Sequence, residues 1–562
     1  MTRPRSSSDR SAPIRVTSEA ELAALVDRRK LLKVAGAGAA VGALAVHPAT
    51  AAPSSRSATT LAAQDDGLEI VIGTLGEAST INPFQASDSE DQWRCKILYD
   101  EFLRCDPVSY TPLPGIAAEW TIEDLVITFT LQPNTMFSDG SALTANDVAF
   151  TIKGMIHTES ASPYQSKFLA IDGAQAYADG TADDVTGIEV VDDGTLRITL
   201  ARPDAPFLFN MRYVWVVPAT QLEGQPLADA EFFQAPVGAG PFMFESWTTG
   251  ADFVVTANPN FWENPKLAIT RVTHRVIADS QTLVLALQND EIDGSNYPNP
   301  AGKDILAENT ALDLITPPFS SPNGWYFNCR HEVLGIKDVR KAIAMALNTE
   351  QFAADSLLGL GEAGLGPIAP GSWAFDPTLE PIPFDPAGAK ALIDAAGVSG
   401  AQLTFAVNSG NVLREDWLTY TQQALQEIGI EVIPELVDYA EHVTAVTQNQ
   451  DFEVSGVDFT GVTSEPSELW DDFHSTSSGN YAGYSNPELD ELLDQVKATL
   501  EQEDAIPLYA QIQRIIMDDV PMHFAWYRPF LHAVNKEKFA GYVSSGDFGL
   551  FYFLQDWTGP AA

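Results

Sequence analysis

From residue 68 onward, apolar positions recur with two different periods, and the switches between them divide the chain into strands and helices. The compact apolar run 68–73 reads as a strand, and 93–103 as a helix with Ile97, Leu98 and Phe102 facing inward. Alternation returns at 125–131, where Ile127, Phe129 and Leu131 share one face. Asp139-Gly140 supplies a turn, and Thr144 is placed to cap a helix carrying Val148 and Phe150. Asp193-Gly194 before 195–200 is a hairpin signal. A helical pattern at 281–288 presents Leu283, Val284 and Leu287, and another at 338–348 presents Val339, Ile343 and Leu347. Asp385-Pro386 opens a helix that Gly397 ends. A strand at 402–407, a helix at 416–428, a strand at 430–437 and a helix beginning at Asn486-Pro487 follow. Strands and helices in alternation predict α/β layers.

The N-terminal stretch has no such pattern. Arg3, Arg5, Arg10 and Arg15 precede Asp27-Arg28-Arg29-Lys30-Leu31-Leu32-Lys33, which looks like a twin-arginine export signal, with Asp27 where Ser or Thr is usual and Leu31 where Phe is usual. The apolar run 34–46 is too short to span a bilayer, and Ala49-Thr50-Ala51 offers a cleavage site. Residues 1–51 are therefore read as a signal peptide and 52–66 as a Ser/Thr/Ala-rich linker. No cysteine follows the apolar run, so no lipid anchor is expected, and the chain is placed in the periplasm or at the outer face of the cytoplasmic membrane.

Length and charge narrow the picture further. A chain of 562 residues needs several lobes rather than one core. Its formal net charge of −44 repels nucleic acid and anionic membrane surfaces, so neither is an expected partner. Cys95, Cys105 and Cys329 are too few for a disulfide scaffold; a Cys95–Cys105 bridge and two buried thiols are both open. Gly359-Leu-Gly361-Glu-Ala-Gly364 satisfies G-x-G-x-x-G but follows a helical segment and leads into Pro367 and Pro370, so it reads as a loop. His331-Glu332 has no second histidine at zincin spacing, and no G-x-S-x-G elbow occurs. No catalytic residue, metal site or cofactor is expected.

The region 237–294 carries the strongest signal. It reads Val-Gly-Ala-Gly-Pro-Phe at 237–242, then Asn258-Pro-Asn-Phe-Trp262, then Ala286-Leu-Gln-Asn-Asp-Glu-Ile-Asp-Gly294. Gly238 and Gly240 before Pro241 predict a tight reversal built on unusual glycine backbone angles. Asn258-Pro259-Asn260 predicts a turn whose two following aromatics anchor it to a core. In this order and spacing the pieces resemble the family 5 solute-binding proteins that serve peptide, nickel and oligosaccharide importers. Phe137-Ser-Asp-Gly140 is similar to that family's Phe-His-Asp-Gly signature, with Ser138 in place of histidine. The resemblance runs from about residue 68 to residue 542.

The resemblance implies a bilobed periplasmic-binding-protein-like fold of type II, with three subdomains and two hinge crossings, near Pro318 and Pro521. The first lobe would join 67–92, 233–316 and 523–562, with 93–232 as its added subdomain, and 317–522 would form the second lobe. It also implies a monomer that captures a small ligand between lobes and delivers it to the permease subunits of an ABC importer. The rival reading is a secreted hydrolase or surface protein on the same scaffold. Ligand-contacting candidates are Glu77, Ser79 and Thr80 after the first strand, Asn296 and Tyr297 after Glu291-Ile-Asp-Gly, and Trp325, Trp373, Asp458 and Phe459 in the second lobe. Trp526, Tyr527 and Arg528 complete the set at the return crossing. Trp373 and Trp526 are equally readable as packing, Trp325 and Phe459 read more readily as packing than as ligand contacts, and Trp526→Ala is expected to weaken binding with little change in stability. Dipeptide-binding relatives commonly carry Trp-x-x-Asp-x-x-Asp-Pro, whose first aspartate holds the ligand's amino terminus. Here the text is Phe459-Thr-Gly-Val462-Thr-Ser-Glu465-Pro466, so Val462 stands where that charge-assisted bond would form.

Overall fold

The strand Leu68–Thr74 lies at the centre of a seven-stranded sheet. In spatial order the sheet runs Leu312–Ile315, His532–Asn535, Gly294–Ser295, Leu68–Thr74, Ile269–Val276, Asp252–Ala257, Phe242–Trp247. The central strand pairs in parallel with both neighbours, and every other pairing is antiparallel. A computed structural model describes residues 67–560, apart from 264–266, 318–321, 410, 438–440, 443, 457–464, 478, 528, 529 and 547. The export signal, cleavage site and linker expected at 1–66 lie outside the described residues. No helix among the described residues is long and apolar enough to cross a membrane.

Local rules account for most of the elements. Asp147 accepts from the backbone N–H of Thr144 at 2.8 Å, closing the first turn of the helix Ala145–Ile156. Asp385 caps the helix Pro386–Ala396 through Gly388 N, and Gly397 ends it at φ 72°. Asn486 caps Pro487–Ala498 in the same way. The hairpin at Asp193-Gly194 joins Ile188–Asp192 to Thr195–Thr199 in a four-stranded sheet with Ala117–Glu123 and Val126–Leu131. Residues of this sheet and its helix (Ile127, Phe129, Val148, Ile152, Leu196) share one apolar core with Ile70, Ile72, Phe102 and Phe242.

A second sheet runs Glu431–Val437, Gln402–Asn408, Val454–Ser455, Pro322–Phe327, Met522–Tyr527 in space. Its cores hold Trp325, Phe405, Trp417 and Trp526 on one side and Leu469, Leu493, Ile512 and Phe524 on the other. Met522–Tyr527, read from sequence as part of the return to the first lobe, pairs antiparallel with Pro322–Phe327 here. The segment 359–364 follows the helix Thr349–Ser356 and contains only an isolated bridge, Ala363 to Trp526, with no helix opening after it. All three cysteines are free thiols; Cys95 and Cys105 are buried.

Two expectations change. Neither Gly238 nor Gly240 has positive φ. Their need is space: a Cβ on Gly238 would sit 2.0 Å from Leu98 O, and one on Gly240 2.5 Å from Ile97 O, at the end of the helix Ser89–Tyr99. Gly240 N donates to Leu98 O at 2.9 Å and Ser138 N to Gly238 O at 2.8 Å, so the Phe-Ser-Asp-Gly loop joins the same reversal through backbone alone. Trp526 is 1% exposed, with its ring 5.6 Å from Trp417 and 5.4 Å from Phe352. It is a core residue, because every residue of its strand is buried.

Gly238→Ala should cost about 1–3 kcal/mol by forcing the reversal off the helix end, read as a lower urea midpoint at unchanged slope. Trp526→Ala should cost about 3–5 kcal/mol, and an unchanged melting temperature would contradict its placement.

Candidate functional site

The loop after the first strand is held by its own polar groups. Trp247 Nε1 donates to Glu77 at 2.7 Å and Gly250 N to the same carboxylate at 2.9 Å. Ser79 donates to Asp91 through N (2.7 Å) and Oγ (3.0 Å), and Thr80 N adds a third bond at 3.1 Å. Asp91 itself lies in the first turn of the helix Ser89–Tyr99, where partial positive charge favours a carboxylate. Glu77, Ser79 and Thr80 thus line a hollow of about 510 Å³ with Phe233, Phe244 and Trp247, but spend their polar atoms on positioning the loop.

Asn296 and Tyr297 are placed by the two-residue strand Gly294–Ser295, wedged between the first strand and His532–Asn535. Asp293 fixes that wedge, accepting from Val71 N at 2.8 Å and Lys538 Nζ at 2.6 Å. Asn296 Oδ1 accepts from Leu550 N at 2.7 Å. The Tyr297 ring lies 5.8 Å from Trp93, 5.2 Å from Phe530 and 6.0 Å from His532. Trp93 Nε1 donates to Phe548 O at 3.1 Å, so residues 548–550 tie this aromatic wall together. The wall borders a small cavity of about 40 Å³ with Glu90 and His274. Burial pushes His532 down to about 3 and His274 well below its usual value, so both are neutral there.

The second-lobe candidates separate. Trp325 is fully buried and donates from Nε1 to Thr421 Oγ1 at 3.0 Å. The Tyr527 hydroxyl accepts from Leu365 N at 3.1 Å and lies 3.2 Å from Ile368 O, bracing a loop. Trp325, Trp526 and Tyr527 are therefore enclosed. Trp373 is half-buried and meets Tyr509 edge-on at 5.3 Å. Asp458, Phe459, Val462 and Arg528 lie outside the described residues.

Sequence reasoning passed over two charged clusters. Arg212 is 8% exposed, with its guanidinium 4.1 Å from the Tyr213 ring centroid and 4.8 Å from those of Phe209 and Phe548. It donates to the Tyr213 hydroxyl at 2.5 Å, and Nε has no partner. The available signal was a single cation inside the otherwise apolar run Phe207-Leu-Phe-Asn-Met-Arg-Tyr-Val-Trp-Val-Val217. The second cluster joins residues 166–210 to residues 467–497 around a cavity of about 220 Å³. Lys167 Nζ lies 2.7 Å from Glu468 Oε1, and Ala205 N donates to Lys497 O at 2.8 Å. Beside it, burial pushes the Glu465 carboxyl up to about 7. No sequence motif marks these pairs, since their members are far apart in the chain.

Among the described residues no group of three or more His, Cys, Asp or Glu is placed to hold a metal ion. The arrangement offers aromatic faces, backbone edges and polar loops, which suit reversible recognition of a solute.

Comparison with known proteins agrees with this geometry. The model of the bacterial extracellular solute-binding proteins, family 5, matches residues 111–481. The probable D,D-dipeptide-binding periplasmic protein DdpA of Escherichia coli is 27% identical over 489 residues, covering 83% of this chain and 90% of its own. Among solved structures, the oligopeptide-binding protein AppA of Bacillus subtilis, in complex with a nonapeptide, superposes with a TM-score of 0.75 at 24% identity, over 88% of this chain and 99% of its own. NikZ of Campylobacter jejuni, in complex with Ni(L-His), gives 0.74 at 20% identity over 87% and 99%. The two superpositions speak for the bilobed fold, and the family match covers well over half of the chain. The chain belongs to the family 5 bacterial extracellular solute-binding proteins.

Proposed function

We propose that this protein captures a peptide or peptide-like solute between two lobes and hands it to the permease subunits of an ABC importer. The observation that carries the reading is the separation of its apolar cores. The clusters containing Ile70, Leu283 and Tyr552 draw on residues 70–312 and 531–557, whereas those containing Trp325 and Leu469 draw on 325–526. Among the described residues no buried cluster straddles the two sets, so the lobes can part without opening a core.

The lobe division that this supports is 67–316 with 530–562 against 322–527, with residues 93–232 as an added subdomain that shares the first lobe's core. The two chain crossings that join these stretches would be the hinges, as the family resemblance implies. Of the candidate contacts, Tyr297 and Trp373 are the described side chains best placed for a solute, Asn296 would contribute by bracing residue 550 beside them, and Asp458, Phe459 and Arg528 are retained as candidates from sequence. Glu77, Ser79 and Thr80 would contribute by shaping the loop. The peptide preference rests on the D,D-dipeptide-binding relative and the nonapeptide complex. The Ni(L-His) complex makes a metal chelate the competing cargo. Export by a twin-arginine signal without a lipid anchor, and action as a monomer without enzymatic turnover, complete the reading.

A thermal-shift screen with a tryptic peptide pool, nickel–histidine and malto-oligosaccharides tests it. The peptide pool should raise the melting temperature in a concentration-dependent way, following RT ln(1 + [L]/Kd). Tyr297→Ala should weaken the response by about 1–3 kcal/mol while melting near the parent temperature without ligand. If no class shifts melting at saturation, capture is wrong; a response to nickel–histidine alone would replace the peptide with a chelate.

A further inference from the structure

The seam between residues 166–210 and 467–497 is built more elaborately than a passive contact between lobes requires. Lys167 reaches across it to Glu468 at 2.7 Å, with both side chains mostly buried (20% and 24% exposed). The same ammonium lies 5.5 Å from the Tyr213 ring centroid. A backbone bond crosses alongside, from Ala205 N to Lys497 O at 2.8 Å, and the Lys497 ammonium lies 4.3 Å from the Trp470 ring centroid. Between these two tethers is the cavity of about 220 Å³, walled by Lys167, Arg202 and Asp204 on one side and Glu468, Asp471 and Lys497 on the other. Asp204 is 7% exposed, and Lys497, Arg202, Lys167 and Asp471 all act on its carboxylate through space. Asn210, 4% exposed, lines the same cavity with its side-chain oxygen unpaired.

We propose that this seam is a closure latch, in which Lys167–Glu468 and Ala205–Lys497 hold the lobes together without touching the solute and Asp204, enclosed between them, makes the closed form tighter in acid. The proposal rests on the two-lobe capture reading. Its residues are positioning residues: a ligand that binds only the closed form has an apparent affinity scaled by the fraction already closed. Seam residues therefore set affinity from outside the ligand site.

The direction of the pH effect follows from the geometry. Opening returns Asp204 to water and its ordinary value near 3.8, whereas burial in the seam pushes it up to about 6, against the pull of Lys497, Arg202 and Lys167. Asp471 is pushed the same way by burial and by Glu468. The closed form thus binds protons more tightly than the open form, so closure strengthens as pH falls from above 6 toward 4. Between pH 7.5 and pH 5, full exposure of Asp204 on opening would raise the closed-to-open ratio about tenfold.

Spin labels at Asp183→Cys and Glu491→Cys, one exposed site on each side of the seam, in a Cys329→Ala background, report the separation in the full chain without ligand. The short-distance population should grow between pH 7.5 and pH 5. Lys167→Met should reduce it at both pH values, and the exchange Lys167→Glu with Glu468→Lys should restore it. Asp204→Asn should remove most of the pH response. Melting of each variant near the parent temperature shows that the latch rather than the fold has changed. Distances unaffected by Lys167→Met, or a pH response intact in Asp204→Asn, would overturn the latch. A tryptic peptide pool forms a separate arm: if it shortens no distance, capture fails, and the ligand-free arm still decides the latch.

Discussion

The two chain crossings enter both lobes as paired antiparallel strands, and the rest of the architecture depends on that pairing. Leu312–Ile315 pairs with His532–Asn535 in the seven-stranded sheet, and a few residues later Pro322–Phe327 pairs with Met522–Tyr527 in the five-stranded one. One ribbon thus runs through the edge of each sheet. Inside each sheet its backbone groups are satisfied by ladder bonds. The wedge Gly294–Ser295, which leads into Asn296 and Tyr297, pairs directly against the returning strand, so the crossing and the candidate ligand wall share one framework.

This arrangement explains which parts of the molecule were readable in advance. Thr144, Asp385-Pro386 with Gly397, and Asn486-Pro487 act within a turn or two of themselves, so their positions in sequence suffice to place helix ends. Asn258 behaves similarly: its Oδ1 accepts from Asn260 N at 2.9 Å, and Trp262 anchors the turn by donating to Asp100 at 3.0 Å. Gly238 and Gly240 were recognised as special for the wrong reason, because the neighbour that excludes a side chain is a helix end more than a hundred residues earlier. Trp526 shows the same limit. A strand buried on both faces has no alternation, so an aromatic within it looks the same whether it faces a cleft or a core. The seam was illegible altogether, since Lys167 and Glu468 acquire meaning only when tertiary structure brings them together.

The charge distribution deepens the contrast between core and seam. With 32 Lys and Arg against 76 Asp and Glu, this chain has few cations to place, and several are inside. Lys96 lies 3.1 Å from Glu101, Arg104 joins Asp100 to Glu263, and Arg340 donates to the backbone carbonyls of Asp519 and Val520 at the end of the helix Gln502–Asp519. Such placements satisfy local polar groups, and because the buried cations are matched by buried carboxylates, the exterior keeps nearly all of the chain's net negative charge. Lobes that approach one another therefore do so against a background of like charge.

Under that condition a cation at the seam does more than form a pair. Lys167, Arg202 and Lys497 offset carboxylates on both lobes at once, and they do so where water is partly excluded and screening by salt is weak. Aspartates enclosed there are costly when ionised, which gives a strongly acidic protein a means of responding to its surroundings through closure rather than through folding. An apolar seam would hold the lobes together more firmly, but without reversibility and without sensitivity to proton concentration. Separate cores, paired-strand crossings and a charged seam are thus three parts of one solution. The fold stays intact while the lobes move, and the free energy of the movement is set by groups that never meet the solute.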